Sequence, residues 1–170
     1  MSAAVLSIGS NIGDRLGFLR DCVTMLGAAV RTTSPVYETA PWGVVAGGLE
    51  QDEFLNAVLL VDDPDADADE WLRRAQRCEA AAHRTREIRW GPRTLDVDLI
   101  DVQGTHRDDA RLTLPHPRAH ERAFVLVPWL DVQPEAALSG HGTVAGLVAA
   151  LPEAQRCGVR RRDDLVLEAP

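Results

Sequence analysis

Leu95-Asp-Val-Asp-Leu-Ile-Asp-Val102 is the stretch on which the fold turns. Apolar and acidic residues alternate through most of it, the two-residue period of a β-strand with one face on a core. Asp96 and Asp98 therefore project from one face, with Cα atoms roughly 6.5–7 Å apart. Asp101 breaks the alternation and is expected on the opposite face. Periodicity alone leaves two readings of the pair open. One is the wet face of an amphipathic edge strand. The other is a cation site: carboxylates at that spacing repel unless cations lie between them, and two magnesium ions about 4 Å apart would serve phosphoryl transfer.

Working outward, residues 54–61 (Phe-Leu-Asn-Ala-Val-Leu-Leu-Val) read as a strong strand, and residues 3–8 as a short buried one ended by Gly9. Asp14 is placed to cap a helix over 15–29, with Leu16, Leu19, Val23 and Leu26 on one face. Residues 30–38 read as extended, Pro35 marking an edge or a bulge. Pro41, Gly43, Gly47 and Gly48 make 40–51 a loop. An acidic, solvated connector over 62–69 leads into a helix over 68–83. An arginine-rich irregular segment over 84–93 then precedes the acidic strand. Beyond a turn near Gly104, residues 111–135 read as short elements broken by Pro115, Pro117, Pro128 and Pro134, and 143–151 as a last short helix. The order β-α-β-β-α-β predicts one α+β domain over 1–170, with helices packed on one face of a mainly antiparallel sheet.

Of the 170 residues, 45% are hydrophobic, enough for one ordinary core. No apolar run approaches the roughly 18 residues of a membrane span, and the N-terminus reads as no signal peptide. Cys22, Cys78 and Cys157 form no CxxC pair and read as buried small hydrophobes, which suits a reducing cytoplasm. Net charge is −8, which argues against nonspecific nucleic-acid binding. The charge is unevenly placed. Residues 50–70 hold nine carboxylates and no basic residue, whereas 73–122 hold eleven of the eighteen basic residues. All eighteen are arginine, so no phosphate-loop lysine and no lysine Schiff base exist. Any phosphate must be held by guanidinium forks, a geometry that suits it. Arg84, Arg86, Arg89 and Arg93 precede the acidic pair, and Arg111 and Arg122 follow it. Arginines mixed with paired carboxylates are what a magnesium–nucleotide site requires; surface salt bridging with the acidic connector is the alternative.

The run Arg89-Trp-Gly-Pro-Arg-Thr-Leu-Asp-Val-Asp-Leu-Ile100 closely resembles the signature of the 6-hydroxymethyl-7,8-dihydropterin pyrophosphokinase family. Supporting blocks lie in the family's order: Ser7-Ile-Gly-Ser-Asn11, Ser34-Pro-Val-Tyr-Glu-Thr39, Phe54-Leu-Asn-Ala57, Gln76-Arg-Cys-Glu79, Arg111-Leu-Thr-Leu-Pro-His116 and the run from Pro117 to Pro128. The resemblance covers about residues 4–135. It implies a ferredoxin-like fold and a reaction in which the pterin hydroxymethyl oxygen attacks the β-phosphorus of ATP in line and AMP leaves. By matching position, Asp96 and Asp98 would hold two Mg2+ ions, with Arg86 and Arg93 also catalytic. Gln76, Glu79, Arg84, Arg86, Arg89, Arg93, Leu99, Arg111, Thr113, His116 and Arg122 would surround ATP. Thr39, Ala40, Trp42, Phe54, Asn56, Trp90 and Phe124 would form the pterin pocket. Phe54 stands where the family often has tyrosine, and Ala40 where proline is common.

The chemistry of these side chains agrees with such roles. A flat bicyclic ring needs aromatic faces above and below, which Trp90 and Phe124 supply. Its amide edge needs a partner that both donates and accepts, and Asn56 does both. His116 and His120 lack the HExxH order of a zinc site. The basic segment over 83–91 is expected to close over bound nucleotide. The expected partners are ATP and the pterin alone, with no nucleic acid, no membrane and a monomeric chain. Two rivals remain at this point: another two-metal nucleotidyltransferase or phosphohydrolase, and a ferredoxin-like binding module with an idle site.

Overall fold

The computed structural model of the chain describes residues 3–40, 52–82 and 94–169. Its centre is a six-stranded sheet. The strands are β1 (Ala3–Ser10), β2 (Val30–Thr33), β3 (Tyr37–Thr39), β4 (Phe54–Asp62), β5 (Asp96–Val102) and β10 (Arg160–Arg161). The order is β10-β3-β4-β1-β5, with β2 also paired to β4, and every pairing is antiparallel. Between β2 and β3, where Pro35 can donate no amide, Ser34 keeps the chain attached to β4: its N–H donates to the Val58 carbonyl, and its Oγ accepts from the Val58 N–H, each at 2.8 Å. The predicted single extended segment is thus one strand in two pieces.

Helix α1 (Arg15–Leu26) starts where Asp14 accepts from the Gly17 N–H at 3.0 Å, and ends at Gly27, whose φ of 57° few other residues adopt. A single 3-10 turn over Gly27–Ala29 replaces the end of the expected longer helix. Helix α2 (Ala68–Ala81) is capped by Asp67, which accepts from the Glu70 N–H, and Asp69 and Glu70 oppose the positive end of its dipole. Both helices pack on one sheet face, over a core that includes Leu6, Ile8, Leu59, Trp71, Val97 and Leu99.

The other face is covered too, which the expectation of helices on one face did not include. Helix α3 (Ala123–Val132) and α4 (Val144–Ala150) close a second core over Val5, Val58 and Ile100, with Leu126 and Trp129 buried in it. Proline punctuation predicts short broken elements here, yet α3 runs through Pro128. Burial of Val125, Leu126, Pro128 and Trp129 outweighs the lost amide. The small hairpins β6 (Arg107–Asp108) with β7 (Thr113–Leu114), and β8 (Ala137–Leu138) with β9 (Gly142–Thr143), flank this layer. Helix α5 (Glu153–Cys157) then leads to β10.

Three sequence expectations are corrected. Pairing of β1 with β5 shifts register, so that Leu6 faces Leu99 but Val5 faces Asp101, with Ile100 the extra residue of a bulge. Asp101 therefore lies on the same face as Asp96 and Asp98, half-buried, and burial raises its carboxyl above the usual range. Cys22 and Cys78 are buried neighbours in hydrogen-bond contact, although far apart in sequence, whereas Cys157 is exposed. The acidic connector is also less solvated than expected, because Asp63 pairs with Arg74 at 2.7 Å and Asp69 with Arg107 at 2.9 Å. Among the described residues no helix is long and apolar enough to cross a membrane.

Candidate active site

The register of three neighbouring strands lays out the site as rows on the α3 face. Asn56, Gly9 and Asp96 form one row across β4, β1 and β5; Val58, Ser7 and Asp98 form the next. Across the other side of β4, Tyr37 pairs with Asn56 and Thr39 with Phe54. Directly opposed residues share a face, so these side chains lie on one surface. With strands about 4.8 Å apart, the Asn56 and Asp96 backbones stand about 10 Å apart. Gly9 keeps the space between them low: a Cβ there would meet Asn56 Oδ1 at 2.9 Å and Phe54 Cδ1 at 3.5 Å.

On the β4 side, Asn56 and Thr39 are both buried, and Asn56 Nδ2 donates to Thr39 Oγ1 at 2.8 Å. That bond holds the amide in one orientation and leaves an ordered donor–acceptor edge beside half-buried Phe54. Tyr37 is buried, and its hydroxyl donates to Asp131 of α3. Burial, and then the hydrogen bond to that carboxylate, push the phenol to about 12.

On the β5 side, Asp98 Oδ2 accepts from Arg122 Nη1 at 3.0 Å, and His116 Nε2 stands 3.9 Å from the same oxygen. Arg122 immediately precedes α3, and its guanidinium carbon lies 5.6 Å from the centroid of the Phe124 ring. Its Nε is buried with no hydrogen-bond partner among the described residues. His116 Nδ1 accepts the Arg118 N–H at 3.1 Å, so the proton of the neutral ring sits on Nε2. Burial, and then the Arg122 charge, hold the imidazole down at about 4, neutral at ordinary pH. It is a donor aimed toward Asp98, and no cation itself.

Glu79 acts from beneath. Its buried carboxylate accepts the Val97 N–H at 3.0 Å and fixes the backbone between Asp96 and Asp98 to α2. Since β5 ends the sheet order, this bond satisfies an amide that no neighbouring strand reaches.

The structure thus brings together Asp96, Asp98, His116, Arg122 and Phe124 on one side, and Thr39, Phe54 and Asn56 on the other. Leu99 is buried in the core toward α1 and α2, so its side chain is not in this group. Gln76, Arg111 and Ala40 are exposed, and Thr113 is half-buried in β7. Arg111 stands 3.9 Å from Asp69 of α2, as the salt-bridging alternative would have it. Trp42, Arg84, Arg86, Arg89, Trp90 and Arg93 lie outside the described residues. Gly9 and Tyr37 belong to this surface without having been singled out for it. Gly9 was read as the end of the first strand, whereas β1 runs through it to Ser10; a glycine inside a strand is the signal that could have marked it.

Among the described residues no three His, Cys, Asp or Glu side chains are grouped to hold a metal. Two carboxylates on one strand face suit magnesium, which commonly takes one or two carboxylates and completes its shell with substrate phosphates and water.

Comparison with known proteins gives the family. Residues 5–134 match the family model described as 7,8-dihydro-6-hydroxymethylpterin-pyrophosphokinase (HPPK). A Mycobacterium tuberculosis protein named 2-amino-4-hydroxy-6-hydroxymethyldihydropteridine pyrophosphokinase is 51% identical over 172 residues, covering 94% of this chain and 89% of the relative. A protein of the same name from Methylorubrum extorquens is 40% identical over 155 residues, covering 89% and 94%. Among solved structures, a Plasmodium falciparum HPPK-DHPS triple mutant superposes with a TM-score of 0.69 at 14% identity, over 94% of this chain and 46% of that one, a likeness of fold. The chain is therefore a transferase of the pyrophosphokinase class with a ferredoxin-like fold. It belongs to the 7,8-dihydro-6-hydroxymethylpterin-pyrophosphokinase family, whose reaction transfers pyrophosphate to hydroxymethyldihydropterin in folate biosynthesis.

Proposed function

We propose that this chain binds ATP with two magnesium ions at Asp96 and Asp98 and the pterin against Asn56, Thr39, Phe54 and Phe124. The pterin hydroxymethyl oxygen would attack the β-phosphorus, and AMP would leave. The observation that carries the reading is the row Asn56–Gly9–Asp96, which sets an ordered amide edge and a carboxylate pair on one surface about one small bicyclic molecule apart. Bound magnesium would neutralise charge on the transferring phosphates. Arg122, hydrogen-bonded to Asp98, would orient that carboxylate and bring positive charge toward the phosphates. His116, neutral and protonated on Nε2, would donate to a phosphate oxygen without adding charge. Asn56 would pair with the amide edge of the ring, and Thr39 would hold Asn56 in place. Arg86 and Arg93 would stabilise the developing charge, Arg84, Arg89, Arg111, Thr113, Gln76 and the backbone at Leu99 would complete the ATP site, and Trp90, Trp42 and Ala40 the pterin pocket. Glu79 would serve by fixing β5.

The proposal extends to a monomeric, cytoplasmic enzyme with no nucleic-acid or membrane partner. Product analysis tests the chemistry: AMP should form only when ATP, magnesium and the hydroxymethylpterin are all present. Calorimetric titration with a nonhydrolysable ATP analogue, with and without magnesium and then with the pterin, tests the order of dependence. AMP or ADP released at the same rate without pterin would overturn the assignment in favour of a phosphohydrolase.

A further inference from the structure

Residues beyond the family match carry a cluster of arginines, Arg160-Arg-Arg162, that the reaction as described does not use. The chain end is not a loose tail. β10 adds antiparallel to the outer edge of β3, with Arg160 opposite Glu38 and Arg161 opposite Tyr37. The Arg162 N–H donates to the Val36 carbonyl at 2.8 Å. Further on, Thr33 Oγ1 donates to the Leu167 carbonyl at 2.7 Å, the Arg20 guanidinium donates to the Val166 carbonyl, and Leu167 is buried in the core over α1 and α2.

At the centre of this strap is Glu38, 8% exposed. It accepts from Arg162 Nη1 at 2.6 Å and Arg15 Nη1 at 3.0 Å, and Arg160 Nη2 lies 3.7 Å away. Burial pushes this carboxyl up, but the hydrogen bonds from Arg162 and Arg15 more than offset it and hold it below the usual range. Two of the same arginines also grip Glu53. Arg15 Nη1 donates to the Glu53 carbonyl at 2.6 Å, and Arg160 pairs with the Glu53 carboxylate.

The positions of Glu38 and Glu53 give the cluster its meaning. Glu38 directly precedes Thr39, and Glu53 directly precedes Phe54; Thr39 and Phe54 are paired across β3 and β4 at the pterin end of the site. Arg15 and Arg160 therefore tie together both ends of the segment 40–53, from the face opposite the one that carries Thr39 and Asn56. We infer that Arg15, Arg160 and Arg162 are positioning residues for the pterin: a clamp, closed by the C-terminal strand, that holds the Thr39–Phe54 pair in register so that the Asn56 amide stays aligned. The clamp touches no substrate. It acts on pterin recognition and leaves the Asp96–Asp98 side, separated from β3 by β4 and β1 in the sheet order, unaffected.

This inference rests on the assignment of Thr39, Phe54 and Asn56 to the pterin pocket, and the experiment separates the two. Steady-state constants for both substrates are measured for Arg160→Ala/Arg162→Ala, Arg160→Lys/Arg162→Lys and Asn56→Ala, in the full chain with magnesium. The alanine pair should raise the pterin KM about tenfold, a loss of about 1.4 kcal/mol, while the ATP KM and kcat move less than about twofold. The lysine pair should recover most of the affinity, since the charges that satisfy Glu38 and Glu53 return. Should the double alanine variant fail to fold, Arg160→Ala alone, whose side chain is 54% exposed, carries the same test with an expected threefold rise. Equal change in both KM values, or none, with Asn56→Ala still losing pterin affinity, would overturn the clamp. Normal pterin affinity in Asn56→Ala would overturn the pocket assignment itself.

Discussion

Arg122 Nη1 lies 3.0 Å from Asp98 Oδ2, while the guanidinium carbon stands 5.6 Å from the centre of the Phe124 ring. One arginine thereby links the carboxylate proposed for the metals to the aromatic ring proposed for the pterin. The link is a charge-assisted hydrogen bond on one side and a cation–π contact on the other. Replacing Asp98 or Asp96 with Asn should leave thermal stability within a few degrees and lower turnover by orders of magnitude, because both carboxylates are needed to place the cations. Turnover at saturating magnesium is the measurement. Near-normal activity in either variant would sink the metal assignment.

Gly9 offers a test by added volume. In Gly9→Ala the new methyl would begin 2.9 Å from Asn56 Oδ1, inside contact distance, and the amide would have to rotate away from Thr39. Strain of this kind costs about 1–3 kcal/mol. Pterin affinity measured by calorimetry should fall by about tenfold or more, while binding of the ATP analogue changes little. A variant that binds pterin normally would mean that the amide edge is not used.

His116 predicts how stability depends on pH. Its folded value of about 4 lies below the ordinary histidine value near 6.5, so between these pH values the unfolded chain binds more protons. The contribution is fully present above pH 6.5 and is lost as pH falls toward 4, by roughly 3 kcal/mol in total. Thermal melts of the protein without nucleotide or magnesium should lose more stability over this window in the native chain than in His116→Gln. Parallel curves would show that the ring titrates normally.

Glu79 is expected to act through β5. Glu79→Ala leaves the buried Val97 N–H without its acceptor, at a cost of about 1–3 kcal/mol. Midpoints of denaturant unfolding read this directly. Glu79→Gln, which keeps an acceptor oxygen, should recover much of the loss. If Glu79→Ala were as stable as the native chain, the anchor would be unimportant.

Two side chains outside the described residues complete the set. Trp90→Ala should weaken pterin binding by about 1–2 kcal/mol through lost stacking and ATP binding by less. Arg86→Ala should slow the chemical step, read in a rapid-quench burst, more than it weakens ATP binding. A normal burst with weakened ATP would leave Arg86 a binding residue only.

The strand framework and the acidic pair were legible because their signals are local. Alternation at 95–102 and the apolar run at 54–61 each match an observed strand, and Asp14 caps α1 as read. Tertiary burial overrode two other local signals. Pro128 does not break α3, since the helix is held by the core beneath it. The face of Asp101 depended on one extra residue, Ile100, and a bulge has no residue-type signature in that run. The partners of Glu38 lie 23 and 124 residues away, so no spacing rule finds them. Arg122 was picked by its place after the acidic pair and then by resemblance, but that it meets Asp98 is visible only when the chain is folded.

The extra residue in β5 also decides what a change of strand length would do. Val97 and Leu99 before it, and Val102 after it, reach the core under α1 and α2, while Ile100, the residue without a partner in β1, fills the second core. Removing Ile100 would join Leu99 to Asp101 in plain alternation and leave Asp101 and Val102 on their present faces, at the cost of a void in the second core. Pulling the bulge flat with every residue kept would instead turn Asp101 into hydrocarbon, so a protein engineer can trade the spare residue for another aliphatic one, but it is the spare length that keeps a carboxylate out of the core.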